Sequence, residues 1–173
     1  MADMVYFDTS VFLDILAAKP NSAQIETLLQ ELTASGSKIY TSILTQQEVQ
    51  VRPYRRGQVA RELHRMVARL AKIKSIDLDT ALTAAKLEAS IVDGAYETED
   101  QRKDKRRRKW DCFHIATAMV LGCTAFYSTD ERMRKVVTKI GPPGMKALSP
   151  TPKQGTLQLA APVVKATSTT ASS

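Results

Sequence analysis

A chain of 173 residues with 43% hydrophobic and 25% charged side chains can build one full core but is too short for two ordinary domains. No apolar run approaches the roughly 20 residues of a membrane span. The acidic N-terminal segment (Asp3, Asp8, Asp14) lacks the basic start of a secretory signal, and two cysteines, Cys112 and Cys123, make no disulfide framework, so a reduced, cytoplasmic setting is expected.

In chain order, VYF predicts a short strand, and SVFLDILA after Asp8 turns helical. Asn21 and Ser22 offer caps for a helix with Ile25, Leu28, Leu29 and Leu32 at helical spacing, stopping near Gly36. KIYTS predicts a second strand, and a helix beginning around Ser42 or Thr45 carries Glu48. Residues 58–73 are amphipathic, with Val59, Leu63, Met66, Val67 and Leu70 on one face and Arg61, Arg65 and Arg69 in another stripe. IKSID is a candidate strand, and residues 79–93 an alanine-rich helix. The stretch GAYETEDQRKDKRRRK has no apolar period and is expected to be an exposed loop or frayed helix end. WDCFHIATAMVLGC is expected to be a buried helix ending at Gly122, followed by the strand TAFYS, a short helix from Asp130 and a last strand in MKAL. Alternating strands and helices predict an α/β fold with a mostly parallel sheet covered on both faces. Residues 1–148 form that domain. The Ser/Thr/Pro/Ala-rich segment 149–173 is expected to be a disordered tail.

The net charge of +7 is concentrated. Residues 102–109 hold seven basic side chains (Arg102, Lys103, Lys105, Arg106, Arg107, Arg108, Lys109) and one acid, and without this run and the tail the remainder has 16 basic against 17 acidic residues. Such a patch attracts a polyanion, although a solvated charged loop would look the same.

Four isolated acids stand at the edges of apolar segments: Asp8 in VYFDTSVFL, Glu48 in TSILTQQEV, Asp111 in WDCFHIATAMV and Asp130 in AFYSTDERM. In a parallel sheet, ligands bind beyond the carboxyl ends of the strands at a topological switch point, and all four acids fit one such edge. Converging carboxylates need divalent cations, and an oxygen-only site suits Mg²⁺ or Mn²⁺. Each acid also has a structural reading. Asp8 and Asp130 fit helix caps, Glu48 fits a capping box with Thr45, and Asp111 fits a first helical turn complementing the dipole. The coincidence of four favours a site. His114 is expected to be a satisfied histidine at the core margin, Asp14 to face solvent, and the Ser10 hydroxyl, two residues past Asp8, to hold a metal-bound water or a phosphate oxygen.

Together these segments resemble the PIN-domain family, in particular the VapC-type toxins of toxin–antitoxin pairs. The resemblance rests on FDTSVFLDIL, TSILTQQEV, WDCFHIATAMVLGC and FYSTDERM in that order, covering residues 4 to about 148. It implies a three-layer α/β/α sandwich and a Mg²⁺- or Mn²⁺-dependent ribonuclease. Its acidic quartet falls on Asp8, Glu48, Asp111 and Asp130, with Ser10 as the small polar residue beside the first. It further implies a homodimer and a cognate antitoxin that inserts a basic side chain among the carboxylates and docks on the amphipathic helices of the first half. The expected chemistry is hydrolysis of an RNA phosphodiester. Asp8, Asp111 and Asp130 would hold the metal, Glu48 would orient water, and the 102–109 run would grip the backbone. A covalent Asp8 phosphatase would need a second acid where Ser10 stands. The competing reading is a non-catalytic RNA-binding domain that uses the basic run alone. The length of that run and the tail depart from the family pattern.

Overall fold

The computed structural model describes residues 3–57, 61–92 and 99–151, with the side chains at 52, 92 and 99–107 outside that description. The 149–173 tail beyond Thr151, and Val59 of the amphipathic stretch, therefore lie outside the described residues. The elements run β1 (Met4–Phe7), α1 (Thr9–Leu16), α2 (Ser22–Ala34), β2 (Lys38–Ser42), α3 (Ile43–Arg55), α4 (Arg61–Leu70), β3 (Lys72–Lys74), α5 (Leu78–Val92), α6 (Glu99–Val120), β4 (Ala125–Tyr127), α7 (Glu131–Ile140) and β5 (Lys146–Leu148).

The five strands pair in parallel in the order β3-β2-β1-β4-β5. Strand alternation sorts the core. Val5 and Phe7 of β1 point to one face, where they pack with Val11, Phe12, Ile25, Leu29, Val49 and Val67 from α1–α4. Tyr6 points to the other face and joins Phe126, Ala84, Leu87, Ile115, Ala116, Met133 and Val137, from β4 and α5–α7. Central β1 is thus buried on both sides, which explains its continuous apolar run. The expected three-layer α/β/α sandwich is the observed one.

Local signals act as expected at the helix ends. Gly36 and Gly122 take positive φ of 74° and 68°, and the next residues, Ser37 and Cys123, return bonds to Leu32 and Ala118 carbonyls. These are the paired hydrogen bonds that a left-handed C-terminal residue permits.

The stretch expected to be an exposed loop or a frayed helix end is helical from Glu99 on. Residues 99–109 continue the buried helix as a single 22-residue α6. Lys, Arg and Glu are good helix formers, and the buried half supplies the nucleus that an isolated charged segment lacks. Asp111 consequently sits about three turns inside α6, so a first-turn dipole role does not apply to it. Cys123 lies beyond the helix, and both thiols are free and buried. No helix among the described residues is long and apolar enough to cross a membrane.

Candidate active site

The chain leaves β1 toward one side of the sheet (β2, β3) and returns for β4 and β5 on the other, so the switch point falls between the carboxyl ends of β1 and β4. Asp8 follows β1, and Ser128, Thr129 and Asp130 follow β4. Asp8 is buried and caps α1. Its Oδ2 accepts bonds from Ser10 Oγ (2.8 Å) and Ser128 Oγ (2.9 Å), with Ser10 N at 3.5 Å. The two hydroxyls are 3.0 Å apart, and Ser10 Oγ accepts from Thr129 N at 3.0 Å while Ser128 Oγ accepts from Asp130 N at 3.1 Å. These bonds latch the loop after β4 onto the first turn of α1 and hold Asp8 in place. The Ser10 hydroxyl, expected to hold a metal-bound water or a phosphate oxygen, bonds Asp8 itself. Ser128, fully buried, is a site residue that the sequence reading missed. Its signal was there: Ser128-Thr129 after β4 mirrors Thr9-Ser10 after Asp8.

Glu48 arrives from α3, whose cap is Ser42, accepting from Leu44 N at 3.2 Å. Glu48 is therefore the sixth helical residue, too far along for the capping box once considered. Its Oε2 accepts from the Thr9 hydroxyl and from His114 Nε2 at 3.2 Å. Thr9 continues into a buried hydroxyl chain through Thr45 (3.1 Å) and Thr41 (2.7 Å) to the Phe7 carbonyl (2.8 Å). His114 is buried, and its Nδ1 stands 2.6 Å from the Tyr6 hydroxyl. That hydroxyl accepts from Ser42 N (3.1 Å), so its proton is free to go to Nδ1, and the neutral imidazole carries its own proton on Nε2, toward Glu48. His114 is the satisfied core histidine expected, and also the partner that orients Glu48.

The electrostatics bind these groups together. Burial by itself would depress the His114 pKa, but the bond to Glu48 and the charges of Asp8, Glu48 and Asp111 hold it above the usual value. Burial would raise Glu48, yet the His114 and Thr9 bonds keep it below the ordinary range. Asp111 is pushed up to about 6 by burial, opposed by Arg132 and reinforced by the charge of Asp8. Tyr6 rises by burial and by Asp8 and Glu48. Glu48 is thus bonded to the His114 ring, which also feels the charges of Asp8 and Asp111.

The outer edge is built differently. Asp111 Oδ2 pairs with Arg132 Nη2 at 3.0 Å. Asp130 is exposed, and its Oδ1 caps α7 by accepting from Arg132 N (2.8 Å) and Met133 N (3.3 Å), so the capping reading is correct for that oxygen. Arg134 Nη1 donates to the Ser128 carbonyl at 2.6 Å. Asp14, expected at the surface, is buried instead. It accepts from Asn21 Nδ2 (2.9 Å), pairs with Lys19 and bonds Thr129, because the short α1 turns back where its second turn meets the loop after β4. Of the basic run, Arg108 is partly exposed and Lys109 exposed. The side chains of Arg102, Lys103, Lys105, Arg106 and Arg107 lie outside the described residues. Trp110 is 42% exposed and contacts Phe113 at a centroid distance of 6.4 Å.

As the side chains stand, no group of three or more His, Cys, Asp or Glu among the described residues closes on one ion. The donor chemistry nonetheless suits a hard cation. The bonds above engage one oxygen each of Asp8 (Oδ2), Glu48 (Oε2), Asp111 (Oδ2) and Asp130 (Oδ1), and Arg132 already brings a positive charge to Asp111. An oxygen-ligand site for Mg²⁺ or Mn²⁺ fits these residues, provided Arg132 yields Asp111.

The fold and the composition of this edge are those of a PIN domain, and the family model for the PIN domain matches residues 5–139. The chain belongs to the PIN domain family. Among solved structures, it is similar to a toxin–antitoxin complex from Klebsiella pneumoniae (TM-score 0.55, 20% identity, 85% of this chain and 98% of that one). It is also similar to VapBC2 from Rickettsia felis bound to a DNA fragment from their promoter (TM-score 0.54, 11% identity, 84% and 98%). At these identities the likeness is one of fold. No curated protein matches the chain.

Proposed function

We propose that the chain is a divalent-cation-dependent endoribonuclease, the toxin of a toxin–antitoxin pair, acting through Asp8, Glu48, Asp111 and Asp130. PIN domains are generally nucleases, and the reading is carried by one observation: Asp8, locked by Ser10 and Ser128 at the switch point, shares its field with Glu48 and Asp111 around one buried histidine. Mg²⁺ or Mn²⁺ held by Asp8, Asp111 and Asp130 would activate water and neutralise charge on the scissile phosphate. Glu48, its Oε2 fixed by His114 and Thr9, is oriented to accept a hydrogen bond from the attacking water. The Ser10–Ser128 latch holds Asp8 against the repulsion of its neighbours, so the carboxylates are in register before substrate arrives. The basic first half of α6 supplies positive charge for the RNA backbone.

Both solved neighbours come from toxin–antitoxin complexes, which supports an antitoxin partner here. An apolar groove of about 350 Å³ between α1, α3 and α4, lined by Leu13, Leu16, Ala17, Val49, Pro53, Arg56 and Leu63, suits the apolar face of a partner helix. We extend the proposal to a homodimer, a domain spanning 1–148 and a cytoplasmic setting.

A binding-only domain is favoured by one specific feature, the engagement of Asp130 as a helix cap and of Asp111 by Arg132. The two readings separate in one experiment: incubation of a mixed single-stranded and structured RNA pool with Mn²⁺, Mg²⁺ or EDTA, with Asp8→Asn and Asp111→Asn alongside. Cleavage that needs the cation and is lost at least 100-fold in both variants is expected. RNA bound but uncut in every condition, equally by the variants, would establish the binding domain instead.

A further inference from the structure

The arginine stripe at 61, 65 and 69 has no part in the site above. In the fold, Arg61 and Arg65 lie one helical turn apart on α4 and, with His64 of α4 and Gln50 and Tyr54 of α3, enclose a second cavity of about 410 Å³. No acid lines it. Among the described residues neither arginine takes part in an ion pair, and Tyr54 is 62% exposed at the lip. Next to the cavity wall lies Gln46, which is buried. Its Oε1 accepts from His64 Nδ1 (3.0 Å) and Gln50 Nε2 (3.2 Å), while its Nε2 is a buried donor with no partner among the described residues. Gln46 thus fixes the two lining side chains Gln50 and His64 from behind the cavity wall.

We propose that this cavity is an accessory nucleotide-binding site, which takes one or two nucleotides of single-stranded RNA outside the cleaved bond. Arg61 and Arg65 would hold phosphates, Tyr54 would stack on a base, and Gln50 and His64 would meet polar edges of the base or sugar. The proposal deepens the RNA reading above and takes its substrate class from it. Position supports it. Gln50 and Tyr54 stand about 3 and 9 Å along the helix axis from Glu48, on a different face of α3. The surface between them carries exposed Gln47 and Arg55 and half-exposed Val51, and Glu48 is the one acid in α3. A strand leaving the carboxylates can cross that surface without meeting negative charge.

The test uses fluorescein-labelled 12-mers of uridine and of adenosine, with the full-length protein in EDTA so that binding is read apart from cleavage. Tyr54→Ala is expected to weaken binding about 5- to 100-fold, the loss of one stacked base. Arg61→Gln with Arg65→Gln is expected to lower the slope of log affinity against log salt by about 1.4, roughly 0.7 for each single-strand phosphate lost. Both changes are at exposed positions and retain helix-compatible residues. In Mn²⁺ both variants should raise KM on the long RNA with kcat unchanged, and leave cleavage of a tetranucleotide untouched. Unchanged affinity and salt slope would overturn the site. A loss of binding to a polyglutamate peptide as large as the loss for RNA would overturn it too, and assign the cavity to an acidic protein. Wild-type failure to cut any RNA, with these binding losses intact, would refute the nuclease while supporting the site.

Discussion

The two flanks of the carboxylate cluster are held by different forces. On the inner flank, Glu48, His114, Tyr6 and Thr9 are joined by hydrogen bonds among neutral or singly charged groups inside the core. On the outer flank, Asp111 is answered by the guanidinium of Arg132, itself half-exposed, and Asp130 by the amide groups at the start of α7. Buried hydrogen bonds of fixed direction define geometry when the chain folds, and leaving one unmade is costly. A partly solvated ion pair contributes little to stability, is screened by salt and exchanges partners readily. The difference teaches that the inner flank sets where the carboxylates stand, while on the proposed function the outer flank is where a cation or a phosphate would enter by replacing a charge already present.

The sharpest way to break this comparison is His114→Ala. It leaves the Tyr6 hydroxyl proton without its acceptor, removes one of the two donors to Glu48 Oε2 and opens a cavity in the core, for an expected loss of about 3–5 kcal/mol. Urea unfolding monitored by circular dichroism would read it, and a loss under 1 kcal/mol would mean that the inner network does not support the fold.

Asp111→Asn probes the outer flank through pH. A carboxyl raised to about 6 in the folded chain binds its proton more tightly there than in the unfolded chain, so metal-free stability falls as pH rises from about 4 through 6. The asparagine variant should lose that slope and gain about 1–2 kcal/mol at pH 7 in EDTA, the shift being discounted for the ion pair lost with Arg132. Thermal denaturation at pH 4, 5, 6 and 7 checks the sign. A variant no more stable than wild type at pH 7 would show that Arg132 fully offsets the burial of Asp111.

The smallest expected effect is that of Arg132→Gln. Stability should change by less than about 1 kcal/mol, because the pair is half-exposed. Mn²⁺ affinity, measured by calorimetry without RNA, should rise about tenfold, equivalent to about 1.4 kcal/mol, since the competing cation is gone. An unchanged affinity would remove Arg132 from any exchange at the site.

Much of the architecture was legible in the chain. The parallel sheet followed from strands that alternate with helices, and the buried histidine from its place in HIATAMV. Where reading failed, the reason is specific. Residues 99–109 carry no apolar period, and their helix depends on continuity with a buried half that local pattern cannot weigh. Asp14 has the spacing of a solvent-facing residue on α1, and is buried because Lys19 and Asn21 of the loop after α1 and Thr129 of the loop after β4 close over it. Ser128 carries no periodic signal, and only the likeness of Ser128-Thr129 to Thr9-Ser10 could have pointed to it.

Composition, periodicity and four short segments by themselves determined the fold class and the family, and singled out the four acids of the proposed site, because strand and helix periods and residue chemistry are local properties. Only the tertiary structure decided which groups hold those acids in place. The Ser10–Ser128 latch, the His114 bridge between Tyr6 and Glu48 and the Arg132 pair with Asp111 join residues far apart in the chain. Their partners are chosen by strand order and helix placement, which no single segment encodes.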